Sequence, residues 1–559
     1  MDTSRTKAGD DSWLRTGKRL LRVGKDSGLV RNFVSTKTPR VLAEVLRHGI
    51  NVGSAHTLHA ARHPQRLAMV DDARQLTYAQ ADAEINRVGN ALSERFGVGR
   101  GAPAILMMEN RTEYLTCWFG LFRIGASGVH ASYRMTADEL GYQVDHSGAR
   151  VLIVSPAALE AATQLNAARD DLDLTIIVVG DQTPPAGALS FDKVLAQAST
   201  EFAKPGSRGG DSDNIVYTSG TTGDPKGTVR NFNQYGVLEL SRLLDRLPLQ
   251  ADDRHLVVAP LYHSGGQAFA LLNTALAATL YLRPHFDAED TLRHLSDYEI
   301  NSIFMVPTML RRVLDLDEPT HRRCPTPRLR GLVCGAAPFP HALRERAIER
   351  FGSQNVFDFY GATELGWVTL ISGEEMLERP GSVGRPLAGQ KVRILDETGV
   401  EMPRGEVGKI WIKNQHAMSG YLKNREASEE IRRGDWITVD DLGYLDADDY
   451  LYLAGRARDM VITGGVNVYP VEIENVLVLH EDVADAAVIG IPDEEWGEKL
   501  VAVVVPEEGA EFDPQALEQH ARDHLAGFKV PKQWETVDEI PRNPTGKILK
   551  GQLEKRLAG

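Results

Sequence analysis

Between Tyr217 and Gly227 the chain reads YTSGTTGDPKG, a tract that carries Thr218, Ser219, Gly220, Thr221, Thr222, Gly223 and Lys226. Hydroxyls, backbone amides left open by glycine and one ammonium are the groups that phosphate oxygens accept. The tract follows the strand-like run NIVY, as a phosphate loop should. It fails the triphosphatase pattern GxxxxGK[ST], because Pro225 precedes Lys226 and Gly227 follows it, which leaves no hydroxyl placed for Mg2+. A kinase or motor-type ATPase, which would release ADP and phosphate, is therefore disfavoured.

Further chemistry-bearing strings follow in order. His263 stands in PLYHSGG, and Gly335, Ala336 and Ala337 stand in CGAAPFP. Asp358, Tyr360, Gly361, Thr363 and Glu364 belong to DFYGATELG, while Asp441, Arg456 and Arg458 belong to VDDLGYLDADDYLYLAGRARD. Lys547 lies in PRNPTGKILK. A tyrosine face stacks on a purine, a carboxylate accepts its amine hydrogen, and Mg2+ takes one or two carboxylates together with phosphate oxygens.

Over roughly residues 54 to 556 these strings resemble the acyl-adenylate-forming superfamily of AMP-binding enzymes, which includes acyl-CoA synthetases, peptide-synthetase adenylation domains and luciferases. The resemblance implies that residues 218–223 and Lys226 hold ATP phosphates and that His263 packs beside the bound carboxylate. Gly335, Ala336 and Ala337 would form the adenine-binding strand, with Asp358 on the exocyclic amine, Tyr360 stacked on the ring and Gly361 beside it. Thr363 would contact the α-phosphate and Glu364 would ligate Mg2+. Asp441 would grip the ribose hydroxyls with help from Arg456, and Arg458 would be the hinge about which a C-terminal domain swings. Lys547 would reach in from that domain to neutralise the charge that develops as carboxylate attacks the α-phosphate. One departure stands out: the family's usual Thr-Gly before the ribose aspartate is here Val439-Asp440, so the ribose contact is expected to survive beside an altered backbone.

Adenylation alone leaves three acceptors: CoA, a carrier-protein pantetheine, or oxygen as in luciferases. ITGGVNVYPVEIE resembles the segment that lines the pantetheine tunnel of CoA ligases, which implies Gly464 and Gly465 as tunnel positions. Trp496 and Phe528 match an aromatic pair that sandwiches the CoA adenine in benzoate-type ligases, with Lys529 and Lys532 near the CoA phosphates. No carrier domain follows. The resemblance thus implies an acyl-CoA synthetase consuming ATP, Mg2+, CoA and a small-molecule carboxylic acid. The texture, FMVPTMLRRVLDL included, is most similar to bacterial fatty-acyl-CoA synthetases, so a fatty acid is the expected substrate. An aryl-acid CoA ligase, or an enzyme loading a carrier protein, is the alternative within the family. A membrane-surface adaptor is the rival outside enzymology, and it would release no pyrophosphate.

The whole chain of 559 residues, 42% apolar and 25% charged, has ordinary globular composition and exceeds the size of one hydrophobic core. A net charge of −14 repels polyanions, so no nucleic-acid partner is expected. Cys117, Cys324 and Cys334 have no paired spacing, which argues against a disulfide framework or cysteine zinc site and for a cytoplasmic protein. No run reaches the roughly 18 apolar residues of a membrane span, and Ala268 to Leu282 reads as a buried helix and strand. Residues 1 to 50 are a basic arm. There Trp13, Gly17, Leu20 and Leu21 oppose Arg15, Lys18, Arg19 and Arg22 at helical spacing, the pattern of a helix lying on a membrane surface, so peripheral contact with the inner membrane face is expected.

The elements that must position the site follow from periodicity. From about 54 to 455 the runs LAMVDD, AILMME, ASGVHA, VLIVS, LTIIVVG, HLVVAPL, SIFMVPT and LRGLVCG alternate with helical stretches, which predicts α/β sheets with mainly parallel strands. After Gly384 short alternating strands between Gly, Pro and Asp turns predict a small antiparallel β-subdomain. The last hundred residues predict a compact βαβ-like unit. The expected divisions are a basic extension over 1–53, an adenylation domain over 54–457 and a mobile α+β domain over 458–559.

Overall fold

The computed structural model describes residues 22–27, 38–48, 52–169, 171–203, 213–218, 225–231, 237–463, 466–493, 496–507, 509–542 and 548–557. The fold is mixed α/β, with a large N-terminal part of several sheets and a smaller C-terminal part. Compactness divides the chain into two units, Met1–Met305 with Leu316–Leu332 and Gln415–Glu430, and Val306–Asp315 with Val333–Asn414 and Ile431–Gly559.

The first unit contains an eight-stranded sheet ordered Gly420–Tyr421, Lys226–Asn231, Asp213–Thr218, Ser127–Ala131, Pro103–Met107, Val151–Val154, Thr175–Val178, Ala188–Ser190. From Asp213–Thr218 onward the strands are parallel, because each returns through a helix or long crossover, whereas the seven-residue connection 219–225 makes the next strand fold back antiparallel. Ser127–Ala131 and Val151–Val154 are buried along their whole length, as strands covered on both faces must be. A second set, Gln75–Thr77, Leu67–Val70, Thr279–Leu282, Arg254–Val257 and Ser302–Met305, is parallel except at its first pair. The core between includes Trp118, Phe119, Met69, Leu261 and Leu280. The stretch from Ala268 to Leu282 is the body of the helix Ser264–Ala275 followed by the buried strand Thr279–Leu282.

In the second unit the strands Val356–Ala362, Gly366–Ser372, Ser382–Pro386, Leu451–Arg456, Asp441–Leu445 and Gly408–Lys413 pair antiparallel in that order, so the antiparallel ladder expected after Gly384 begins earlier, at Val356. The C-terminal part corrects the simple βαβ expectation. Val483–Asp493 and Gly497–Pro506 form a long antiparallel hairpin, since so short a link cannot make a parallel crossover. The βαβ connection comes one step later, from Gly497–Pro506 through the helix Pro514–His524 to Gln533–Thr536, a parallel strand. A helix, Pro470–Leu477, precedes this hairpin.

Among the described residues no helix is long and apolar enough to cross a membrane. The arm's helical pattern at residues 13 to 22 falls almost wholly outside the described residues.

Candidate active site

In the first unit, the β-hairpin 213–231 sets the ends of the tract 217–227 in register: Tyr217 faces Gly227 and Thr218 faces Lys226. Buried Ile215 and Val216 anchor the incoming strand, so Thr218 and Lys226 emerge side by side. The Lys226 ammonium lies 5.4 Å over the Tyr421 ring. Ser219, Gly220, Thr221, Thr222 and Gly223 lie outside the described residues.

His263 is the N-cap of the helix Ser264–Ala275. Its Nε2 is shielded from solvent and has no hydrogen-bond partner. Burial holds the imidazole down to about 4, so it is neutral at physiological pH and keeps one ring nitrogen free for a ligand atom. Two side chains from the helix Thr112–Ile124 and the loop before it pin this turn: Asn110 Oδ1 accepts from Leu261 N at 2.8 Å, Asn110 Nδ2 donates to Ala259 O at 3.1 Å, and Tyr114 Oη donates to Leu261 O at 2.9 Å. The turn is tight because Gly265 and Gly266 have no side chains. A Cβ on Gly265 would come within 2.7 Å of the Phe304 ring, and one on Gly266 within 2.5 Å of the Pro260 carbonyl oxygen.

Sequence reasoning missed the buried network behind this turn. His130 Nδ1 shares a 2.5 Å hydrogen bond with Tyr114 Oη, and His130 Nε2 one of 2.6 Å with Asn214 Oδ1. Asn214 Nδ2 donates to Gln267 Oε1 at 2.8 Å, and Trp118 Nε1 to Asn214 Oδ1 at 2.9 Å. Asn214 is the second residue of the strand Asp213–Thr218, which leads to the tract 217–227, and Gln267 follows His263 by one helical turn, so the network ties the two together. The only sequence signal is polar residues inside apolar runs.

In the second unit, Gly335 ends the strand Gly331–Gly335 where the Phe359 ring leaves no room for a side chain. Ala336 then takes φ +67°, a left-handed conformation costly for alanine, and Ala337 follows. Asp358 is buried and bonded by Arg344, whose Nη2 donates to its Oδ2 at 2.7 Å while Nη1 donates to Ser382 O at 2.7 Å. Burial pushes the Asp358 carboxyl up to about 6, and the Arg344 charge opposes that rise. The Asp358 carboxylate, which the resemblance places on the exocyclic amine, is thus shared with a buried guanidinium.

Tyr360 donates its hydroxyl to Asp441 Oδ2 at 2.7 Å, and Arg456 Nε lies 3.2 Å from Asp441 Oδ1. Strand pairing enforces this trio, since Asp441 is in register with Arg456. Gly361 pairs with Trp367 across the hairpin, and half-buried Thr363 and Glu364 occupy its turn. Asp440 takes φ +62°, a conformation that Asp tolerates better than most side chains, and Lys409 Nζ bonds its Oδ1 at 2.8 Å. Arg458 lies in the short turn Ala457–Asp459, with Nε 3.4 Å from Asp459 Oδ1.

Among the described residues no cluster of three or more His, Cys, Asp or Glu is arranged to hold a metal ion by itself. A single hard carboxylate such as Glu364, completed by phosphate oxygens, is the donor set that fits Mg2+.

Trp496 and Phe528 precede the adjacent parallel strands Gly497–Pro506 and Gln533–Thr536 and are 41% and 45% exposed. Lys532 Nζ lies 5.5 Å over the Trp496 ring. Lys529, expected near CoA phosphates, is salt-bridged to Glu472 at 2.6 Å. Gly464, Gly465 and Lys547 lie outside the described residues.

The family model for AMP-binding enzymes matches residues 57–422, and that for the AMP-binding enzyme C-terminal domain matches residues 472–547. A feruloyl-CoA synthase of an Amycolatopsis species is 33% identical over 513 residues, covering 90% of this chain and 99% of its own. A long-chain-fatty-acid–CoA ligase of Mycobacterium tuberculosis is 31% identical over 513 residues, covering 90% and 98%. A solved anthranilate CoA ligase in complex with anthranoyl-AMP superposes with a TM-score of 0.83 at 28% identity, covering 91% of this chain and 98% of that one.

Proposed function

We propose that this chain, which belongs to the AMP-binding, acyl-adenylate-forming enzymes and is an AMP-forming acid–CoA ligase using ATP, Mg2+ and CoA, takes a fatty acid as its acid substrate. The observation that carries the nucleotide role is the trio Tyr360, Asp441 and Arg456, a carboxylate fixed on both sides with the ring of Tyr360 beside it.

In this reading the carboxylate of the acid attacks the α-phosphorus of ATP, the bond to the β-phosphate oxygen breaks, and acyl-AMP and pyrophosphate form. Thr218, residues 219–223 and Lys226 hold the departing pyrophosphate, and Thr363 holds the α-phosphate. Glu364 would hold Mg2+, which would supply charge neutralisation on the phosphate oxygens. Gly335, Ala336 and Ala337 line the adenine, Asp358 takes its amine, and Gly361 lets the tyrosine ring approach. Neutral His263 offers Nε2 to the carboxylate without adding a competing charge. Lys547 neutralises the transition state from a C-terminal domain that turns about Arg458. The CoA thiol then attacks the acyl carbonyl, AMP leaves, and Gly464, Gly465, Trp496, Phe528 and Lys532 guide the CoA. The segment 1–53 carries the enzyme to an anionic membrane surface, a reading favoured by its charge and by Leu42 and Leu46, 54% and 80% exposed on the helix Thr38–His48.

A second reading, an aromatic acid, is favoured by the relatives that act on ferulate and anthranilate. Acid-dependent pyrophosphate release, followed by CoA-dependent AMP release, across a panel of fatty and aryl acids tests both. Turnover confined to aryl acids would overturn the fatty-acid reading.

A further inference from the structure

The helix Ala137–Ser147 begins with a full capping box, Thr136 with Glu139, which fixes its entry. Two of its side chains, one turn apart, reach opposite stems of the phosphate tract. Tyr142 Oη donates to the Pro225 carbonyl at 2.9 Å, and His146 Nδ1 shares a 2.9 Å hydrogen bond with the Tyr217 hydroxyl. The Tyr142 and His146 rings stack at 5.4 Å with 8° between planes. Each meets the Tyr217 ring edge-on, at 6.2 and 5.7 Å. Burial, with the Lys423 charge added, holds His146 below its usual value, so it is a neutral partner for Tyr217 rather than a cation. On the other edge of the hairpin Leu422 N donates to Gly227 O at 2.7 Å. Tyr217 and Pro225 bracket the tract 218–224, and both are held by one rigid helix turn.

We propose that Tyr142 and His146 are positioning residues for the phosphate grip: by clamping both stems they fix the spacing at which the tract and Lys226 meet the triphosphate. This rests on the adenylating role proposed above. A preorganised grip spares ATP the cost of ordering the stems. The clamp therefore acts on ATP binding and the pyrophosphate-releasing step, and leaves the thiol-transfer step alone.

The full-length variants Tyr142→Phe, His146→Ala and His146→Asn test this. Pyrophosphate release is measured with ATP and then acid varied, thioester formation from supplied acyl-adenylate is measured separately, and thermal unfolding is recorded. Loss of one hydrogen bond predicts a roughly two- to tenfold rise in KM for ATP in Tyr142→Phe and His146→Ala. KM for the acid and the thioester rate should stay within about twofold, and His146→Asn, which keeps a hydrogen-bonding atom near Nδ1, should recover most of the loss. Unchanged KM for ATP, or a parallel fall in both half-reactions, overturns the proposal. If His146→Ala does not fold, Tyr142→Phe, which removes a single oxygen, decides it. A wild-type enzyme that releases no pyrophosphate with any acid refutes the adenylating role itself, whereas an active wild type with unresponsive variants refutes only the clamp.

Discussion

The hydroxyl of Tyr360 and the carboxylate of Asp441, 81 residues apart, meet at 2.7 Å, and the second carboxylate oxygen faces Arg456 at 3.2 Å. The carboxylate is thereby aimed before any ligand arrives, with its direction set by two strands rather than by a loop.

Asp441→Asn keeps the shape and removes the charge. Hydrogen bonds to charged groups contribute about 1.5–3 kcal/mol, so KM for ATP should rise roughly ten- to a hundredfold, with little change in KM for CoA. Steady-state kinetics with each substrate varied in turn would check this, and an unchanged KM for ATP would contradict the ribose role.

Lys547→Ala should cripple adenylation and spare thioester formation from supplied acyl-adenylate. Rapid-quench measurement of the two half-reactions separates them; equal loss in both would remove the lysine from the first step.

Burial holds His263 and His59 at about 4 and His130 and His255 at about 3, against ~6.5 for an unfolded imidazole. Between those values the unfolded chain binds protons that the folded chain refuses. Stability is therefore complete above about pH 6.5 and is lost as pH falls toward 4 and then 3. Asp358, raised to about 6, works oppositely: below pH 6 the fold keeps a proton that an unfolded carboxyl, at ~3.9, releases, which offsets part of the loss. Thermal midpoints should fall between pH 7.5 and 5, and less steeply in His263→Gln.

Asp440 at φ +62° can become glycine at a cost or gain within about 1 kcal/mol, because relief of the backbone offsets loss of a half-exposed ion pair with Lys409. Asp440→Val puts a β-branched residue in the left-handed region and should cost about 1–2 kcal/mol. Thermal shift distinguishes the pair; equal midpoints would mean that the turn relaxes.

Deleting residues 1–50 should weaken co-sedimentation with anionic vesicles while leaving pyrophosphate release intact. Unchanged sedimentation would remove the membrane role of the arm.

Much of the architecture was legible because it is written in local pattern. Buried strands such as Val151–Val154 are continuous apolar runs, and the helix–strand break near Asn273 lies inside one apolar stretch. The family was also legible locally, in the adjacent hydroxyls and glycines of the tract 217–227. What was hidden depends on partners far apart in sequence: Asn110 on Leu261, Arg344 on Asp358, His146 on Tyr217. No periodicity announces such pairs, because each partner alone looks like a misplaced polar residue. The strand Gln533–Thr536 escaped for another reason: QWET has no apolar run, and it is recruited by its neighbour Gly497–Pro506.

Anyone testing the carboxylate contact proposed for His263 inherits a constraint from the turn that follows it. Gly265 and Gly266 are boxed in by an aromatic ring on one side and a peptide oxygen on the other. Enlarging either residue to narrow a pocket would push the histidine off its bearing, so libraries should leave both glycines untouched and diversify walls whose backbone has slack.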